Sequence, residues 1–126
     1  MAVRTIVGDW AKGWSDHNAE NLLALFTEDC IYEDVTMGVV NHGKGELKSF
    51  IERMLGESLG LKIALISEFS TGQWAGAEWT MSATSSDKKP FSVRGSSIIE
   101  LRDGKIARLS DYWDLSTVME QVNAKS

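Results

Sequence analysis

Three aspartates of this chain stand where a carboxylate could transfer protons. Asp111 and Asp114 surround two aromatic residues in the stretch Ser-Asp-Tyr-Trp-Asp near the C-terminus, and Asp34 ends an apolar stretch much earlier. A carboxyl group that loses its hydration becomes a stronger base, and full burial raises its pKa by up to ~3 to 5 units. Such a group exchanges protons near neutral pH. The first question is therefore which of these acids faces an apolar environment.

The alternation of side chains along a β-strand separates the two C-terminal acids. The face that carries Asp111 consists of Ala107, Leu109, Asp111 and Trp113. Asp114 belongs to the opposite face, together with Arg108 and Tyr112. The pattern predicts that Asp111 points toward the apolar side of the strand. Asp114 is expected to cap the short C-terminal segment that begins at Leu115.

Structural roles are the alternative for each of these groups. Asp34 could be a strand-end acid that caps or pairs with a helix residue, and strand-end acids are common. Trp10 and Trp14 are most simply core residues, because aromatic residues at helical spacing usually pack inward. Glu78 has the opposite parity to Trp79 and is expected to face outward.

The periodicity of apolar residues predicts the elements that position these groups. A first helix runs from Val3 past Trp14, a short second helix contains Leu22, Leu23 and Phe26, and a third runs from Leu47 to a stop near Gly56 or Gly60. A short strand is predicted at Cys30–Val35, with a loop at Met37–Lys44. The remaining predicted elements are strands at Leu61–Thr71, Trp74–Ser85, Phe91–Leu101 and Lys105–Trp113, and a short helix at Leu115–Val122.

Helices near one end of the chain and long strands with short connections near the other predict an α+β fold. The expected architecture is a cone: a curved, mainly antiparallel sheet whose concave side is closed by helices around a pocket. With 126 residues, the chain is expected to form a single domain over 1–126.

Composition excludes several classes of function. The net charge is -5, and no run of Lys or Arg is present, which argues against nucleic acid and anionic membranes as partners. The N-terminal residues lack a secretory leader and no apolar run reaches membrane-spanning length, so a cytoplasmic location is expected.

The single cysteine, Cys30, is expected to pack in the core. His17 and His42 lie far apart in the sequence, so no metal site is expected. No other cofactor is expected either.

Three stretches of the chain, in this order, resemble the nuclear transport factor 2-like superfamily, and within it the SnoaL-like polyketide cyclases and proteins related to ketosteroid isomerase. The first combines Leu25–Asp29 with Tyr32–Asp34, the second is Gly43-Lys44-Gly45 at a helix start, and the third runs from Asp103-Gly104-Lys105-Ile106 to Asp111–Asp114. Together they cover nearly the whole chain. The fold hosts enzymes and non-enzymatic modules alike.

The resemblance implies roles for individual residues. Asp34 matches the proton-shuttling aspartate of the isomerases, and Asp111 matches the acid that the cyclases use for proton abstraction. Ser97 stands where the isomerases have a second Asp and the cyclases a His. Trp10 stands where the isomerases place an oxyanion-stabilising Tyr, and an indole N–H donates one hydrogen bond but is no acid. Gly95 and Ser97 replace the Arg and Asp that related epoxide hydrolases need.

A pocket lined by aromatic residues and holding two carboxylates is therefore expected. Its catalytic residues would be Asp111 and Asp34, and Tyr32, Ser97 and Trp10 would donate hydrogen bonds to an enolate oxygen. The predicted substrate-binding residues are Trp10, Trp14, Tyr32, Trp79, Met81, Ser97 and Trp113.

Two functions stay open at the level of the sequence. The first is a cofactor-independent isomerase, cyclase or dehydratase that acts on a small hydrophobic carbonyl compound. The second is a non-catalytic ligand-binding or dimerisation module of the same fold. The resemblance and the open sheet face also predict a homodimer, with Glu78, Arg94, Arg108 and Tyr112 at its interface.

Overall fold

The computed structural model describes residues 4–123, which form four helices and six strands. The helices are α1 (Ile6–Ser15), α2 (Ala19–Leu23), α3 (Gly43–Glu57) and α4 (Leu115–Val122). The strands are β1 (Phe26–Asp34), β2 (Val39–His42), β3 (Leu59–Thr71), β4 (Trp74–Thr84), β5 (Pro90–Arg102) and β6 (Lys105–Trp113).

The six strands form one sheet in the order β2-β1-β6-β5-β4-β3. All neighbouring strands are antiparallel except β1 and β6, which are parallel. Bulges in β3 and β6 bend the sheet, and α1 and α3 pack against it. The structure confirms the predicted α+β class and the curved, mainly antiparallel sheet.

The amphipathic pattern of α1 explains how it covers the sheet. The hydroxyl of Thr5 accepts a hydrogen bond from the backbone N–H of Gly8 and caps the helix. Val7, Trp10 and Trp14 recur at spacings of three and four and are all buried. This stripe packs α1 against β3 and the adjacent part of β4. The predicted start of the helix at Val3 lies outside the described residues.

Helix α3 closes the side of the sheet near β1. It begins at Gly43, whose φ of 80° lies in the left-handed region that favours glycine. The backbone N–H of His42 donates to the Glu46 carboxylate across this first turn. Leu47, Phe50 and Ile51 are buried on one face. The predicted helix and its stop near Gly56 are confirmed, and the helix starts earlier than the predicted Leu47.

The boundary predicted between the second helix and the first strand is wrong at Phe26. Phe26 was expected in the helix because it follows Leu22 at a spacing of four, but α2 ends at Leu23. The strand begins at Phe26, which is paired with Ile106 of β6, and the Ile106 N–H donates to the Leu25 carbonyl. Pairing with a distant strand has therefore overridden the local helical pattern.

The predicted loop at Met37–Lys44 is also wrong in part. It contains β2, which pairs antiparallel with β1 from Asp34↔Val39 to Ile31↔His42. The connection between the two strands turns at Gly38, which has a φ of 69°. The glycines in this segment serve a tight turn and a helix start rather than a long loop.

A bulge in β6 changes one member of the face predicted for Asp111. Glu100 is paired with Arg108 and Leu101 with Ile106, so Ala107 is the extra residue. As a result Ile106, rather than Ala107, is fully buried in the core. Leu109 and Asp111 keep their predicted parity because they lie beyond the bulge.

The remaining predictions of secondary structure are confirmed. The four long strands after α3 and the helix Leu115–Val122 are present. Cys30 is buried in the core, and Glu78 faces outward. Within residues 4–123, no helix combines the length and apolar character needed to cross a membrane.

Candidate active site

The two predicted catalytic acids are neighbours in the sheet. Asp34 of β1 is the register partner of Asp111 of β6, and Asp111 is in turn paired with Ser97 of β5. Neighbouring strands lie about 4.8 Å apart, and partners in register point to the same face. One row across the sheet therefore carries a hydroxyl and two carboxyl groups side by side.

Both oxygens of the Asp111 carboxyl accept hydrogen bonds from hydroxyl groups. The Ser97 hydroxyl donates to Oδ1 at 2.5 Å, and the Tyr32 hydroxyl donates to Oδ2 at 2.6 Å. Tyr32 is paired with Leu109, two residues from Asp111, so its ring reaches the carboxyl diagonally. The carboxyl is fixed in one orientation by donors from two different strands.

The next row of the sheet positions the Ser97 hydroxyl. The indole N–H of Trp79 donates to Ser97 Oγ at 2.9 Å, which directs the Ser97 proton toward Asp111. Trp79 is paired with Gly95, and a Cβ on Gly95 would lie 2.3 Å from the indole ring. Glycine is therefore required here because the Trp79 ring lies directly over the β5 backbone.

Asp34 has a different set of partners. The Trp113 indole N–H lies 3.1 Å from Oδ1 and 3.3 Å from Oδ2 of Asp34, and the backbone N–H of Met37 donates to Oδ1 at 3.1 Å. The side chain is buried, with 6% of its surface exposed. Its donors are N–H groups, whereas those of Asp111 are hydroxyls.

These groups lie in the wall of a cavity with a volume of about 50 Å³. This space holds only a few water molecules or a very small ligand. Six aromatic side chains contribute to the wall. The lining residues are Trp10, Trp14, Tyr32, Asp34, Phe50, Met54, Leu61, Ile63, Trp79, Met81, Asp111 and Trp113.

The aromatic wall changes the acidity of both carboxyl groups. Burial raises the pKa of Asp111 from its ordinary value of 3.8 to about 7, although the hydrogen bonds from Ser97 and Tyr32 oppose the shift. The charge of Asp34 adds to the increase. Asp111 is partly accessible, and it belongs to the cavity wall. Burial also raises the pKa of Asp34, against the hydrogen bonds from Met37 and Trp113.

Tyr32 stays neutral in this setting. Burial and the nearby Asp111 charge raise the pKa of its phenol well above the ordinary value of 10.0. The Trp10 indole N–H lies close enough to oppose this shift, but it lacks the geometry of a hydrogen bond. Tyr32 is therefore a hydrogen-bond donor to Asp111 rather than an acid.

The cavity brings together most of the residues that the sequence singles out. Trp10, Trp14, Tyr32, Trp79, Met81 and Trp113 line it together with both predicted catalytic acids. Ser97 is fully buried behind Asp111, and its hydroxyl is engaged by Trp79 and Asp111. Asp114 lies outside the cavity, where its carboxylate accepts a hydrogen bond from the Ser116 N–H and caps α4, as predicted.

Sequence reasoning did not include four of the lining residues. Phe50 and Met54 come from α3, and Leu61 and Ile63 come from β3. Their spacings of four and two were visible in the apolar pattern. The pattern alone did not show that these faces meet the cavity. Within residues 4–123, no group of three or more His, Cys, Asp or Glu side chains has the arrangement of a metal site.

Comparison with known proteins identifies the family. The SnoaL-like domain family matches residues 7–109, so the chain belongs to this family. This confirms the resemblance to the nuclear transport factor 2-like superfamily. No curated protein matches the sequence at a significant level.

Solved structures share the fold at low sequence identity. A protein with a ketosteroid isomerase-like fold from Catenulispora acidiphila, in complex with trimethylamine, has a TM-score of 0.91, 22% identity and coverage of 98% of this chain and 96% of that chain. A candidate polyketide cyclase from Pseudomonas putida has a TM-score of 0.81, 22% identity and coverage of 94% and 98%. A candidate ketosteroid isomerase from Kribbella flavida has a TM-score of 0.70, 18% identity and coverage of 86% and 75%. Identities at this level establish the fold alone.

Proposed function

We propose that this protein is an isomerase, cyclase or dehydratase that moves a proton on a small carbonyl compound with its own aspartates and no cofactor. The observation that carries the proposal is the Asp111 carboxyl. It lies in an aromatic cavity, is oriented by two hydroxyls and has a pKa of about 7. A general base is most effective when its pKa is near the working pH.

Proton transfer by Asp111 balances without another reactant. The ionised carboxylate takes a proton from the carbon next to the carbonyl, and the electron pair of the C–H bond moves to the carbonyl oxygen as an enolate. The resulting carboxylic acid returns the proton to the same or another carbon. Asp34 is the second candidate for this role, since it lies beside Asp111 in the same row.

The cavity limits the substrate. Pockets for drug-sized ligands have volumes of ~300 to 1,000 Å³, whereas this cavity has about 50 Å³. A ligand as large as a steroid would require the walls to move apart. The proposed substrate class is therefore a compact carbonyl compound with only a few non-hydrogen atoms.

Hydrogen–deuterium exchange tests the proposal without knowledge of the natural substrate. Butan-2-one incubated with the protein in D2O should lose its α-protons in the NMR spectrum faster than in buffer. Asp111→Asn should slow this exchange by roughly 100-fold or more, because a general base contributes about that factor. Asp114→Asn, which changes an acid outside the cavity, is the matched control. Full exchange in both Asp111→Asn and Asp34→Asn would contradict the mechanism.

Non-catalytic binding of a small amine is the second candidate function. The ionisable groups that line the cavity are the two aspartates and Tyr32, and aromatic walls with acids suit an alkylammonium ion. The similar structure from Catenulispora acidiphila holds trimethylamine. Tryptophan fluorescence during titration with trimethylammonium chloride tests this function. Saturable binding without any butan-2-one exchange would favour the amine over the carbonyl compound.

A homodimer in the cytoplasm is the proposed state of the protein. The outer face of the sheet exposes Phe69, Trp74, Ile98 and Tyr112, between the ion pairs Glu78–Arg94 and Glu100–Arg108. A second copy of the chain would cover these apolar groups and match the alternating charges. Sedimentation at micromolar concentration should give twice the chain mass of 13.9 kDa. A monomer under these conditions would remove the proposal.

A further inference from the structure

The twelve residues that line the cavity differ in their exposure to solvent. Seven of them are buried, among them Asp34, Tyr32 and Trp79. The other five are partly exposed, and they are Met54, Ile63, Met81, Asp111 and Trp113. Because the buried side chains are covered by the rest of the protein, a ligand from solution must pass the partly exposed part of the wall.

Hydrogen bonds fix three of these five residues. The Asp111 carboxyl is held by two hydroxyl groups. The backbone N–H of Trp113 donates to Thr36 Oγ1 at 2.9 Å, and the Thr36 hydroxyl donates to the Trp113 carbonyl at 2.6 Å. Ile63 is tied to Ser15 in the same way, at 2.9 and 3.3 Å. This part of the wall has little freedom to adjust to a ligand.

The two methionines, Met54 of α3 and Met81 of β4, are held differently. Both are partly buried and pack against the edge of the core. A thioether forms only weak hydrogen bonds, so packing alone fixes its position. A methionine side chain is unbranched, rotates about three bonds and fills gaps of irregular shape. Met54 and Met81 are therefore the adaptable part of the exposed wall.

Each methionine follows an aromatic residue that lies next to the groups that hold Asp111. Trp79 donates to the serine beside the carboxyl, and the Phe50 ring lies 5.5 Å from the ring of the tyrosine on its other side. Met81 comes two residues after Trp79 on a strand, and Met54 comes four residues after Phe50 on a helix. Residues at these spacings point to the same face. The methionines therefore continue the wall one step farther from the acid.

We infer that Met54 and Met81 set the length of the carbonyl compound that the cavity accepts. The carbonyl end of the substrate lies at Asp111, and the two side chains fill the space into which a longer alkyl chain would extend. This inference rests on the proposed function and names the residues that determine its size limit. Alanine in place of either methionine removes about three non-hydrogen atoms and leaves space in the wall. Each replacement should therefore admit about three more chain carbons.

A series of methyl ketones from butan-2-one to nonan-2-one tests the size limit. Binding is followed by tryptophan fluorescence, since Trp10, Trp14, Trp79 and Trp113 line the cavity. Each methylene group that enters an apolar site increases affinity by about 4-fold. In the wild type this increase should stop at a short chain. In Met54→Ala and in Met81→Ala it should continue for about three further carbons.

Met119→Ala is the matched control, because Met119 is 43% exposed on α4 and does not line the cavity. Its limit should equal that of the wild type. Three results would overturn the inference: the same limit in wild type and both cavity variants, a steady increase up to nonan-2-one in the wild type, or no binding of any ketone.

The methionine methyl groups give a second test on the wild-type protein, which does not depend on the folding of an alanine variant. In protein labelled with 13C at these methyls, bound pentan-2-one should shift the signals of Met54 and Met81 but not that of Met119. Replacement of each residue by leucine, which nearly conserves volume, assigns its signal. Unshifted signals of both Met54 and Met81 with ketone bound would overturn the inference.

The exchange of α-protons separates this inference from the proposed function. If the size limit moves in the alanine variants but no ketone exchanges its α-protons, the role of the methionines is supported and the proton-transfer function fails. If butan-2-one exchanges its α-protons but the limit is the same in wild type and both cavity variants, the function stands and the role of the methionines is overturned.

Discussion

The acids on the inner face of β4, β5 and β6 have different partners from the acids on the outer face. On the inner face, Asp111 is held by neutral hydroxyls, and among residues 4–123 no Lys, Arg or His lines the cavity. On the outer face, Glu78 is paired with Arg94 at 2.6 Å and Glu100 with Arg108 at 3.2 Å. The same strands therefore present an acid without a counterion on one side and exposed ion pairs on the other.

The difference shows how strand parity decides the chemistry of a carboxyl group. On the outer face, each of these carboxylates is engaged by an arginine and exposed to water. A hydroxyl partner in an aromatic cavity orients the group but leaves its charge uncompensated, so that the proton is held until the pH approaches 7. Because side chains alternate along a strand, an acid moved by one residue would point to the opposite face and exchange the cavity for the exposed surface.

The largest expected effect on the inner face is a dependence of stability on pH. The Asp111 carboxyl titrates at an ordinary 3.8 in the unfolded chain and at about 7 in the folded protein. Between these values the unfolded state binds fewer protons, so each increase in pH favours unfolding. The free energy of unfolding should fall by up to ~1.4 kcal/mol per pH unit in this window and level off above it. Urea denaturation between pH 4 and pH 8 measures the slope.

Asp111→Asn should flatten this slope because it removes the titrating group. The burial of Asp34 raises its pKa and contributes a slope of the same sign. Asp114→Asn is the control, since hydrogen bonds from Ser116 and Thr117 lower the pKa of Asp114, which places its effect below the window. Equal slopes in wild type and Asp111→Asn would contradict the claim that the Asp111 carboxyl on the inner face holds its proton up to a pH of about 7.

Gly95→Ala should have the next largest effect. The new Cβ would lie within 2.3 Å of the Trp79 ring, so the indole must move and its bond to Ser97 is lost. Overpacking of this kind destabilises a protein by ~1 to 3 kcal/mol, and α-proton exchange should fall with it. Gly45→Ala has open space around the new Cβ and should be neutral or slightly stabilising. Thermal denaturation of both variants makes the comparison.

Ser97→Ala tests how far the Ser97 hydroxyl lowers the pKa of Asp111 on the inner face. The Ser97 hydroxyl lowers the pKa of Asp111, so its removal should raise that pKa by roughly one unit, the equivalent of one hydrogen bond to a charged group. Ser96→Ala changes the opposite face of the same strand, where Ser96 is paired with Glu78 and Tyr112. The pH dependence of α-proton exchange measures both. A shift in the Ser96 variant alone would contradict the assignment of the faces.

Glu78→Gln should have the smallest effect. Its partner Arg94 is exposed, and surface ion pairs contribute ~0 to 1 kcal/mol to stability. Stability should change by less than this amount, and α-proton exchange should not change. A loss of activity as large as that of Asp111→Asn would show that the outer face takes part in the chemistry.

Much of the fold could be predicted because local patterns agree with it. The stripe of Trp10 and Trp14 and the alternation around Asp111 each indicate the element that forms. Phe26 and β2 were missed because their structure depends on pairing with distant strands, which periodicity does not report. The bulge at Ala107 was missed for the same reason.

The sequence allowed most residues of the site to be predicted, but not the hydrogen bonds and ring contacts between them. Parity selected Asp111, and the resemblance to a family added Asp34. The bond from Trp79 to Ser97 and the approach of the Trp79 ring to Gly95 arise from the register of β4 and β5. The small volume of the cavity depends on how helices pack on the sheet. None of these follows from the order of residues along one strand.

Titration of the Asp111 carboxyl tests the central claim most directly. Protein labelled with 13C at the aspartate carboxyl carbons gives one signal per aspartate, and the spectrum of Asp111→Asn identifies the signal of Asp111. Its chemical shift, followed by NMR from pH 3 to pH 9, reports the protonation of this group alone. The account predicts a midpoint at about 7. A midpoint near the ordinary value of 3.8 would show that the cavity does not hold a proton-active carboxyl group and would contradict the account.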